Sequence, residues 1–323
     1  MTSSDNSFLM LNTEPGRLSS QDRFILCGLA TVDEVEADRR YLLENIHKYQ
    51  GLFIGLRNKI DKDVLNSGTQ LKCIVTPTTG LNHIDMKIAR EMGITVLSLR
   101  GETKFLSTIS ATAELAWGML IALVRKIPAA HLSVMAGEWE RNRFYGNELR
   151  GRTLGIIGYG RLGKMLKTYG QAFGMKVIAH DIHPASAMDV DFVELADLLE
   201  QSDVVSVNLA LNESTIGMLG RKEFSLMKRG AFLVNTARGE ILDEEALLES
   251  LKTGHLAGAA IDVIAAETSD NQNWLKESEL RAYARGYDNL LITPHIGGVT
   301  CESVEKSNRF IIEKLGNYLK GFK

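Results

Sequence analysis

Two kinds of hydrophobic pattern alternate along the first hundred residues of the chain. Short apolar runs predict strands, and longer stretches with helical periodicity predict helices. The predicted strands are FILCGL, GLFIGL, LKCIVT and ITVLSL, and the predicted helices are VDEVEADRRYLLENI and HIDMKIAREM. Because strands that alternate with helices usually form a parallel sheet covered by helices, this part of the chain is predicted to be an α/β domain.

A long apolar segment separates this series from a second one. Residues 108–127 predict a helix that is apolar over most of its circumference, which indicates burial at a domain or subunit junction. A polar arm containing Trp139 follows. Six further strands are then predicted, namely TLGIIG, KVIAHD, VVSV, AFLV, AGAAID and LLIT. Together with a glycine-rich first turn, they favour a doubly wound dinucleotide-binding sheet.

Composition and charge narrow the classes of function. A chain of 323 residues, 45% of them hydrophobic, is long enough for two domains. A net charge of −3 without a basic stripe argues against nucleic-acid and membrane partners. The three cysteines form no CxxC pair, so we expect a reducing compartment and no thiolate metal site. We find no signal-peptide pattern or long apolar span, and therefore expect a soluble, cytoplasmic protein.

The turn after the strand TLGIIG has the spacing GxGxxG, with glycines at positions 158, 160 and 163. Glycines at this spacing allow the backbone to approach a pyrophosphate at a helix N-terminus. The next strand ends in Asp181, 181 − 163 = 18 residues beyond the last glycine. A carboxylate there can bind ribose hydroxyls and repels a 2′-phosphate, so the sequence predicts NAD rather than NADP.

Three polar residues follow later strands of the same predicted sheet. Arg238 follows AFLVNTA, Glu267 follows AGAAIDVIAA and His295 follows LLITP. Ligands of open α/β sheets bind at the carboxyl ends of strands, so these side chains are expected to meet in one cleft. Each residue also has an ordinary structural explanation. Arg238 could form an ion pair with Glu240 or Asp243. Glu267 could be a solvated loop carboxylate, and His295 could be a core histidine bonded to the backbone.

These segments resemble the D-isomer-specific 2-hydroxyacid dehydrogenase family. The resemblance covers nearly the whole chain and is strongest in LRGRTLGIIGYGRLG, NTARGEILDEEALLESL, HLAGAAIDV and LITPHIGG. It implies that Arg238 binds the substrate carboxylate, that His295 is the general acid/base and that Glu267 pairs with it. These residue types suit the reduction of a keto acid, since histidine transfers protons near neutral pH and a guanidinium binds a carboxylate through two hydrogen bonds.

The resemblance also implies the architecture. It predicts two doubly wound parallel-sheet domains, with a Rossmann NAD-binding domain (107–294) inserted in a flavodoxin-like substrate domain (1–106 and 295–323). Substrate is expected between them, and the helix at 108–127 with the Trp139 arm is expected to form a homodimer interface. Arg57 matches an arginine that often faces the substrate in this family; the alternative is an exposed arginine at a strand end.

The predicted site combines both lines of reasoning. The predicted catalytic residues are Arg238, Glu267 and His295; the predicted cofactor-binding residues are Gly158, Gly160, Arg161, Leu162, Gly163, Asp181, Thr236, Ala237, Arg238, Asp262, His295 and Gly297; and the predicted substrate-binding residues are Arg57, Thr79, Gly80 and Arg238. The predicted cofactor is NAD, the substrate is a small 2-hydroxy or 2-keto acid, and no metal is expected.

The sequence departs from the family pattern at three places. Thr268 replaces the usual proline after the glutamate, and residues 208–212 replace an HxPLT segment. In the loop that resembles the family's substrate loop, Pro77, Thr78 and Thr79 replace the usual small residues. Two other functions stay open at this point: an NAD(H)-sensing regulatory protein of the same fold, and a formate- or phosphonate-type dehydrogenase. Which acid is the substrate is also open, since Arg57 and Lys59 could accept a second anionic group.

Overall fold

The structure is a computed structural model that describes residues 8–183, 189–268 and 273–321. Two compact units divide the chain. The first unit comprises Met1–Ile109 and Val299–Lys323, and the second unit comprises Ser110–Gly298. The second unit is therefore inserted in the first along the chain. His295 lies in the second unit, whereas the boundary predicted from the sequence precedes it; the terminal residues of the predicted substrate domain, 1–7 and 322–323, lie outside the described residues.

The first unit contains a five-stranded parallel sheet. Its elements are β1 (Leu9–Asn12), α1 (Ser20–Leu29), β2 (Thr31–Glu34), α2 (Arg39–Asn45), β3 (Gly51–Phe53), α3 (Lys62–Ser67), β4 (Cys73–Val75), α4 (Met86–Glu91), β5 (Thr95–Leu97), α5 (Thr103–Leu106) and the final helix, α14 (Cys301–Lys320). The strand order β2-β1-β3-β4-β5 is the flavodoxin-like order. Helix α14 packs on α1, where the buried carboxylate of Asp22 accepts a hydrogen bond from Arg309 Nε at 2.6 Å.

Two predicted elements of this unit are wrong. FILCGL is not a strand but the second half of α1, and the first strand is LMLN at Leu9–Asn12. Six consecutive apolar or small residues suit a buried strand and a helix equally well. The decisive local signal is Ser19, whose hydroxyl caps the helix by accepting from Asp22 N at 3.1 Å. The predicted helix at residues 32–46 begins instead as β2 and becomes helical only at Arg39.

The second unit contains a seven-stranded parallel sheet. Its elements are α6 (Ala111–Val124), α7 (Ile127–Met135), β6 (Thr153–Ile157), α8 (Arg161–Ala172), β7 (Lys176–His180), β8 (Asp191–Phe192), α9 (Leu195–Gln201), β9 (Val204–Val207), α10 (Arg221–Leu226), β10 (Ala231–Asn235), α11 (Glu244–Lys252), β11 (Leu256–Ile261), α12 (Trp274–Glu277), α13 (Glu279–Ala284) and β12 (Leu290–Ile292). All six predicted strands are present, and the two-residue β8 is additional.

The strand order places the crevice of this sheet. The order is β12-β11-β10-β9-β6-β7-β8, so the chain runs outward from β6 in one direction and from β9 in the other. The crevice at such a switch point, outside the carboxyl ends of the strands, is where α/β sheets bind ligands. Two apolar layers, one on each face, hold the sheet. The prediction of two doubly wound parallel-sheet domains is confirmed.

One segment has the length and composition of a membrane-spanning helix, Thr103–Val124. The structure does not form it as a single helix, because residues 107–110 are non-helical and separate α5 from α6. Helix α6 has 14 residues and packs against β10, β11 and β12. Its apolar circumference is therefore explained by burial against the sheet of its own unit, whereas the sequence predicted a helix over 108–127 buried at a domain or subunit junction.

Candidate active site

The glycine turn lies between β6 and α8, at the switch point of the sheet. Gly158 has φ +90°, and a Cβ there would lie 2.7 Å from the carbonyl oxygen of Asn208. A Cβ on Gly163 would lie 2.5 Å from the carbonyl oxygen of Gly158. These two positions therefore require glycine for the turn itself and for helix packing. Gly160 is different, because a Cβ there would meet no atom within 4 Å.

The open side of Gly160 fits a dinucleotide phosphate. Gly160 is the N-cap of α8, and the first backbone N–H groups of an α-helix lie beyond its own ladder of hydrogen bonds. A helix N-terminus favours an anion, and glycine allows the anion to approach the backbone closely. Burial lowers the pKa of Arg161 at this helix start. The residues present thus match the requirements of a pyrophosphate.

Asp181 stands at the end of β7, next to this turn. Its Oδ2 accepts a hydrogen bond from Tyr159 N at 2.8 Å, and its Oδ1 accepts one from His183 N at 2.9 Å. The first bond fixes the carboxylate to the glycine turn. Each oxygen retains acceptor capacity, as the recognition of two ribose hydroxyls requires.

The three predicted catalytic residues follow three adjacent strands. Arg238 follows β10, Glu267 follows β11 and His295 follows β12, and these strands are neighbours in the sheet. Since all are parallel, the three side chains leave the sheet at the same edge. Thr236 and Ala237 occupy the turn before Arg238, where Ala237 N donates to the buried Asn235 Oδ1 at 3.0 Å.

His295 and Glu267 are in direct contact. His295 Nδ1 and Glu267 Oε1 are 2.8 Å apart, and both side chains are largely buried. The bond fixes the ring and leaves Nε2 as the ring nitrogen that can exchange a proton with a substrate. His295 has φ +52°, a left-handed conformation that is uncommon outside glycine. The backbone of this turn is therefore held in place by other contacts.

Asp262 supplies those contacts. Its buried carboxylate accepts hydrogen bonds from Ile296 N at 2.8 Å, Gly297 N at 2.7 Å and Thr293 Oγ1 at 2.5 Å. Burial raises the pKa of Asp262, and these donors act in the opposite direction. The sequence predicted Asp262 and Gly297 as cofactor contacts. The structure shows the Asp262 carboxylate holding the turn that carries His295.

Arg238 is half-buried, and no carboxylate of a described residue lies within salt-bridge distance of it. The predicted alternative, an ion pair with Glu240 or Asp243, is not formed. Its Nη1 donates to the neighbouring Ala237 carbonyl at 2.6 Å. Burial lowers the pKa of Arg238, while the more distant charges of Glu267 and Glu240 oppose that shift. A half-buried guanidinium without an ion-pair partner is suited to receive an anionic group.

The predicted substrate residues of the first unit lie in two places. Thr79 is exposed at the tip of the loop after β4, and the buried hydroxyl of Thr78 donates to the Gly80 carbonyl at 3.0 Å. Arg57 is exposed, and its Nη1 donates to Glu36 Oε1 at 2.8 Å. That hydrogen bond raises the pKa of Arg57. The pairing of Glu36 with Arg57 was not predicted from the sequence.

Comparisons with known proteins place this geometry in a family. The profile of the "D-isomer specific 2-hydroxyacid dehydrogenase, NAD binding domain" matches residues 117–297. The chain belongs to the D-isomer-specific 2-hydroxyacid dehydrogenase family. It is 35% identical over 286 residues to the hydroxypyruvate reductase of Thermotoga maritima, which covers 88% of this chain and 89% of that protein.

Two further similarities define the extent of the match. The D-3-phosphoglycerate dehydrogenase of Archaeoglobus fulgidus is 36% identical over 298 residues, which cover 91% of this chain but only 54% of that protein. The structure of Aquifex aeolicus D-lactate dehydrogenase, complexed with NAD and lactic acid, matches with a TM-score of 0.84 and 26% identity, covering 97% of this chain and 96% of that one.

These findings confirm the predicted family, the α/β fold class and NAD as the cofactor. The protein is an NAD-dependent oxidoreductase of the D-2-hydroxyacid dehydrogenase type. The two alternative functions, a regulatory NAD(H) sensor and a formate- or phosphonate-type dehydrogenase, are not favoured. These relatives are named as dehydrogenases or reductases of hydroxy or keto acids.

The position of Asp181 generates a prediction about cofactor choice. The wild type should prefer NADH to NADPH, and Asp181→Ser should raise the ratio of kcat/KM for NADPH to that for NADH by about tenfold or more. Like charges a few ångströms apart repel by on the order of 1–4 kcal/mol, and 1.4 kcal/mol is a factor of ten. Steady-state kinetics with both cofactors measure the ratio.

The matched control is Asp197→Ser, which removes an exposed acid from the first turn of α9. That variant should leave the cofactor ratio unchanged. An Asp181→Ser enzyme that folds but keeps the wild-type ratio would show that another group excludes the 2′-phosphate.

Proposed function

We propose that the protein reduces a small 2-keto acid with an uncharged side group, of which hydroxypyruvate is the example, to the D-2-hydroxy acid. The observation that supports this mechanism is the pair His295–Glu267, at 2.8 Å, at the same sheet edge as the unpaired Arg238. Together they offer a proton donor and a binding group for a carboxylate. NADH, when bound, supplies the hydride to the keto carbon.

The protein residues have separate roles in this proposal. The Arg238 guanidinium binds the substrate carboxylate and polarises the adjacent carbonyl, because its charge is desolvated and unpaired. His295 begins as the imidazolium and gives its Nε2 proton to the substrate oxygen as negative charge develops there. Glu267 stabilises the imidazolium and fixes the ring through Nδ1. In the oxidative direction the same nitrogen accepts the proton.

The choice of an uncharged side group is supported by the charges around Arg57, the arginine predicted from the sequence to face the substrate. A pocket there is lined by Arg17 and Arg57 together with Glu14 and Glu36. Glu36 is hydrogen-bonded to Arg57, and Glu14 Oε2 lies 4.0 Å from an Arg17 nitrogen, so the two positive charges are balanced. A phosphate would have to displace Glu36 from Arg57.

A substrate screen tests this proposal. Hydroxypyruvate, glyoxylate, pyruvate and phosphohydroxypyruvate would each be offered with NADH, and oxidation followed by the nicotinamide absorbance. We expect the small uncharged-side-chain acids to be reduced and the phosphorylated acid to be a poor substrate. His295→Gln should lower kcat on the best substrate by on the order of 10²–10⁴, the usual contribution of a general acid/base, with NADH affinity unchanged.

Each result that would contradict the proposal refutes a different part of it. A preference for phosphohydroxypyruvate would refute the proposed side-group specificity but leave the mechanism intact. A His295→Gln enzyme with wild-type kcat would refute the assigned acid/base. Turnover of formate or phosphite, or NADH binding without turnover of any acid, would favour one of the alternative functions.

We also propose that the protein is a homodimer. Large apolar side chains are exposed on α7 and the arm after it: Ile127, Leu132, Val134, Met135, Trp139 and Tyr145. Trp139 is 89% exposed and Leu132 is 66% exposed. A contiguous segment with so many exposed apolar side chains is typical of an interface, and a two-fold dimer is the commonest soluble assembly.

Analytical sedimentation measures the oligomeric state and so tests this proposal directly. The wild type should sediment as a dimer at micromolar concentration, and Leu132→Glu combined with Met135→Glu should shift it towards monomer, because both charges would be buried. Phe24→Glu, which changes an equally exposed apolar residue on α1, should not. A wild type that is monomeric at these concentrations would contradict the proposal.

A further inference from the structure

Glu244 has a buried contact that its position in the sequence does not explain. It is the first residue of α11, where acids are common because they interact favourably with the helix dipole. Its side chain does not extend into solvent, however. Glu244 Oε1 accepts a hydrogen bond from the backbone N–H of Ala265 at 2.7 Å. Burial and the charge of Glu240 raise the pKa of Glu244, and the Ala265 N–H opposes that shift.

Ala265 begins the short 3₁₀ turn Ala265–Thr268, which carries Glu267. Glu267 N in turn donates to the Ile264 carbonyl at 3.1 Å. The hydrogen bond from Ala265 to Glu244 is thus made two residues before the carboxylate that contacts His295. Any movement of Ala265 changes the starting point of the turn from which Glu267 reaches the histidine.

A second contact holds the same segment from the same side. A Cβ on Gly239, the residue after Arg238, would lie 2.2 Å from Ala265 N and 2.2 Å from the Ile264 carbonyl carbon. The backbone of the Arg238 turn is therefore packed directly on residues 264 and 265. The Arg238 turn and the first residue of α11 clamp the segment that leads to Glu267.

We propose that Glu244 is a positioning residue for the acid/base pair. Its hydrogen bond to Ala265 orients the 3₁₀ turn so that the Glu267 carboxylate stays on His295 Nδ1. In this role Glu244 does not contact the substrate or the cofactor, and it acts only through Glu267. The inference rests on the proposed roles of His295 and Glu267.

The chain provides a matched control for the helix-start charge. Glu245 is the next residue, lies in the same first turn of α11, is exposed and pairs with Arg221 at 3.0 Å. Glu244→Ala and Glu245→Ala therefore remove the same charge from the same helix turn. Only the first removes the acceptor of the Ala265 N–H. Glu244→Gln retains a carbonyl acceptor, and Glu244→Asp retains the charge but shortens the side chain by one methylene.

The test is a set of kinetic measurements on these variants, alone and combined with Glu267→Gln. We expect Glu244→Ala and Glu244→Asp to lower kcat of keto-acid reduction by about tenfold or more, but by no more than the roughly 10²–10⁴-fold that general acid/base catalysis contributes. Their activity should also fall off at a lower pH, as in Glu267→Gln. Glu244→Gln should stay within about threefold of wild type, Glu245→Ala should be unchanged, and NADH affinity should be unchanged in all of them.

The combined variants separate positioning from simple stabilisation. If Glu244 acts through Glu267, Glu244→Ala should have little further effect once Glu267 is glutamine, because neighbours in one network are not additive. Equal effects in both backgrounds, or a lowered melting temperature with wild-type kcat and pH profile, would overturn the inference. If Glu244→Ala does not fold, Glu244→Asp provides the same comparison. If Glu267→Gln itself is without effect, the proposed role of Glu267 has failed instead.

Discussion

The hydrogen bond of 2.8 Å between His295 and Glu267 joins turns that follow different strands, and much of the second unit serves to make it possible. Strands β11 and β12 are parallel neighbours, so their carboxyl ends meet at one edge of the sheet. Each turn is then secured separately. Asp262 accepts two backbone N–H groups after His295, and Glu244 and Gly239 contact the segment before Glu267. The contact between His295 and Glu267 therefore depends on these buried supporting contacts.

The charge of Arg238 lies at the same edge of the second sheet. Arg238 is placed by β10, the neighbour of β11, and its charge has no ion-pair partner among the described residues. Burying a cation in this way is unfavourable by itself, and the sign of its pKa shift reflects that cost. An anionic substrate group would relieve it. The glycine turn follows β6, on the other side of β9 from β10, so cofactor phosphates bound at that turn would share the crevice at the switch point with the catalytic residues.

Much of this architecture could be predicted from the sequence where pattern and spacing agree. All six predicted strands of the second sheet exist, because each is a buried apolar run bounded by turn residues. FILCGL was predicted wrongly, because an apolar run of six residues fits helix and strand alike, and the capping serine lies outside the run. The two-residue β8 carries too little pattern to be recognised.

The supporting contacts of the site were less accessible to prediction. Arg238, Glu267 and His295 follow strands, so topology brings them near one another. The acceptor role of Asp262 and the contact of Glu244 with Ala265 depend on three-dimensional proximity between residues 21 to 35 positions apart. An acid at the end of a buried strand was the only signal for Asp262. The pairing of Arg57 with Glu36 likewise joins two exposed residues that no local pattern connects.

In the proposed mechanism, Glu267 holds His295 as the imidazolium that donates the proton. The most direct measurement is kcat/KM against pH for keto-acid reduction by wild type and by Glu267→Gln, with the best substrate from the screen. The amide removes the negative charge while keeping the shape of the side chain. We expect the loss of activity at high pH to move to lower pH in Glu267→Gln, because the imidazolium has lost its partner. A profile whose high-pH limb does not move would contradict it.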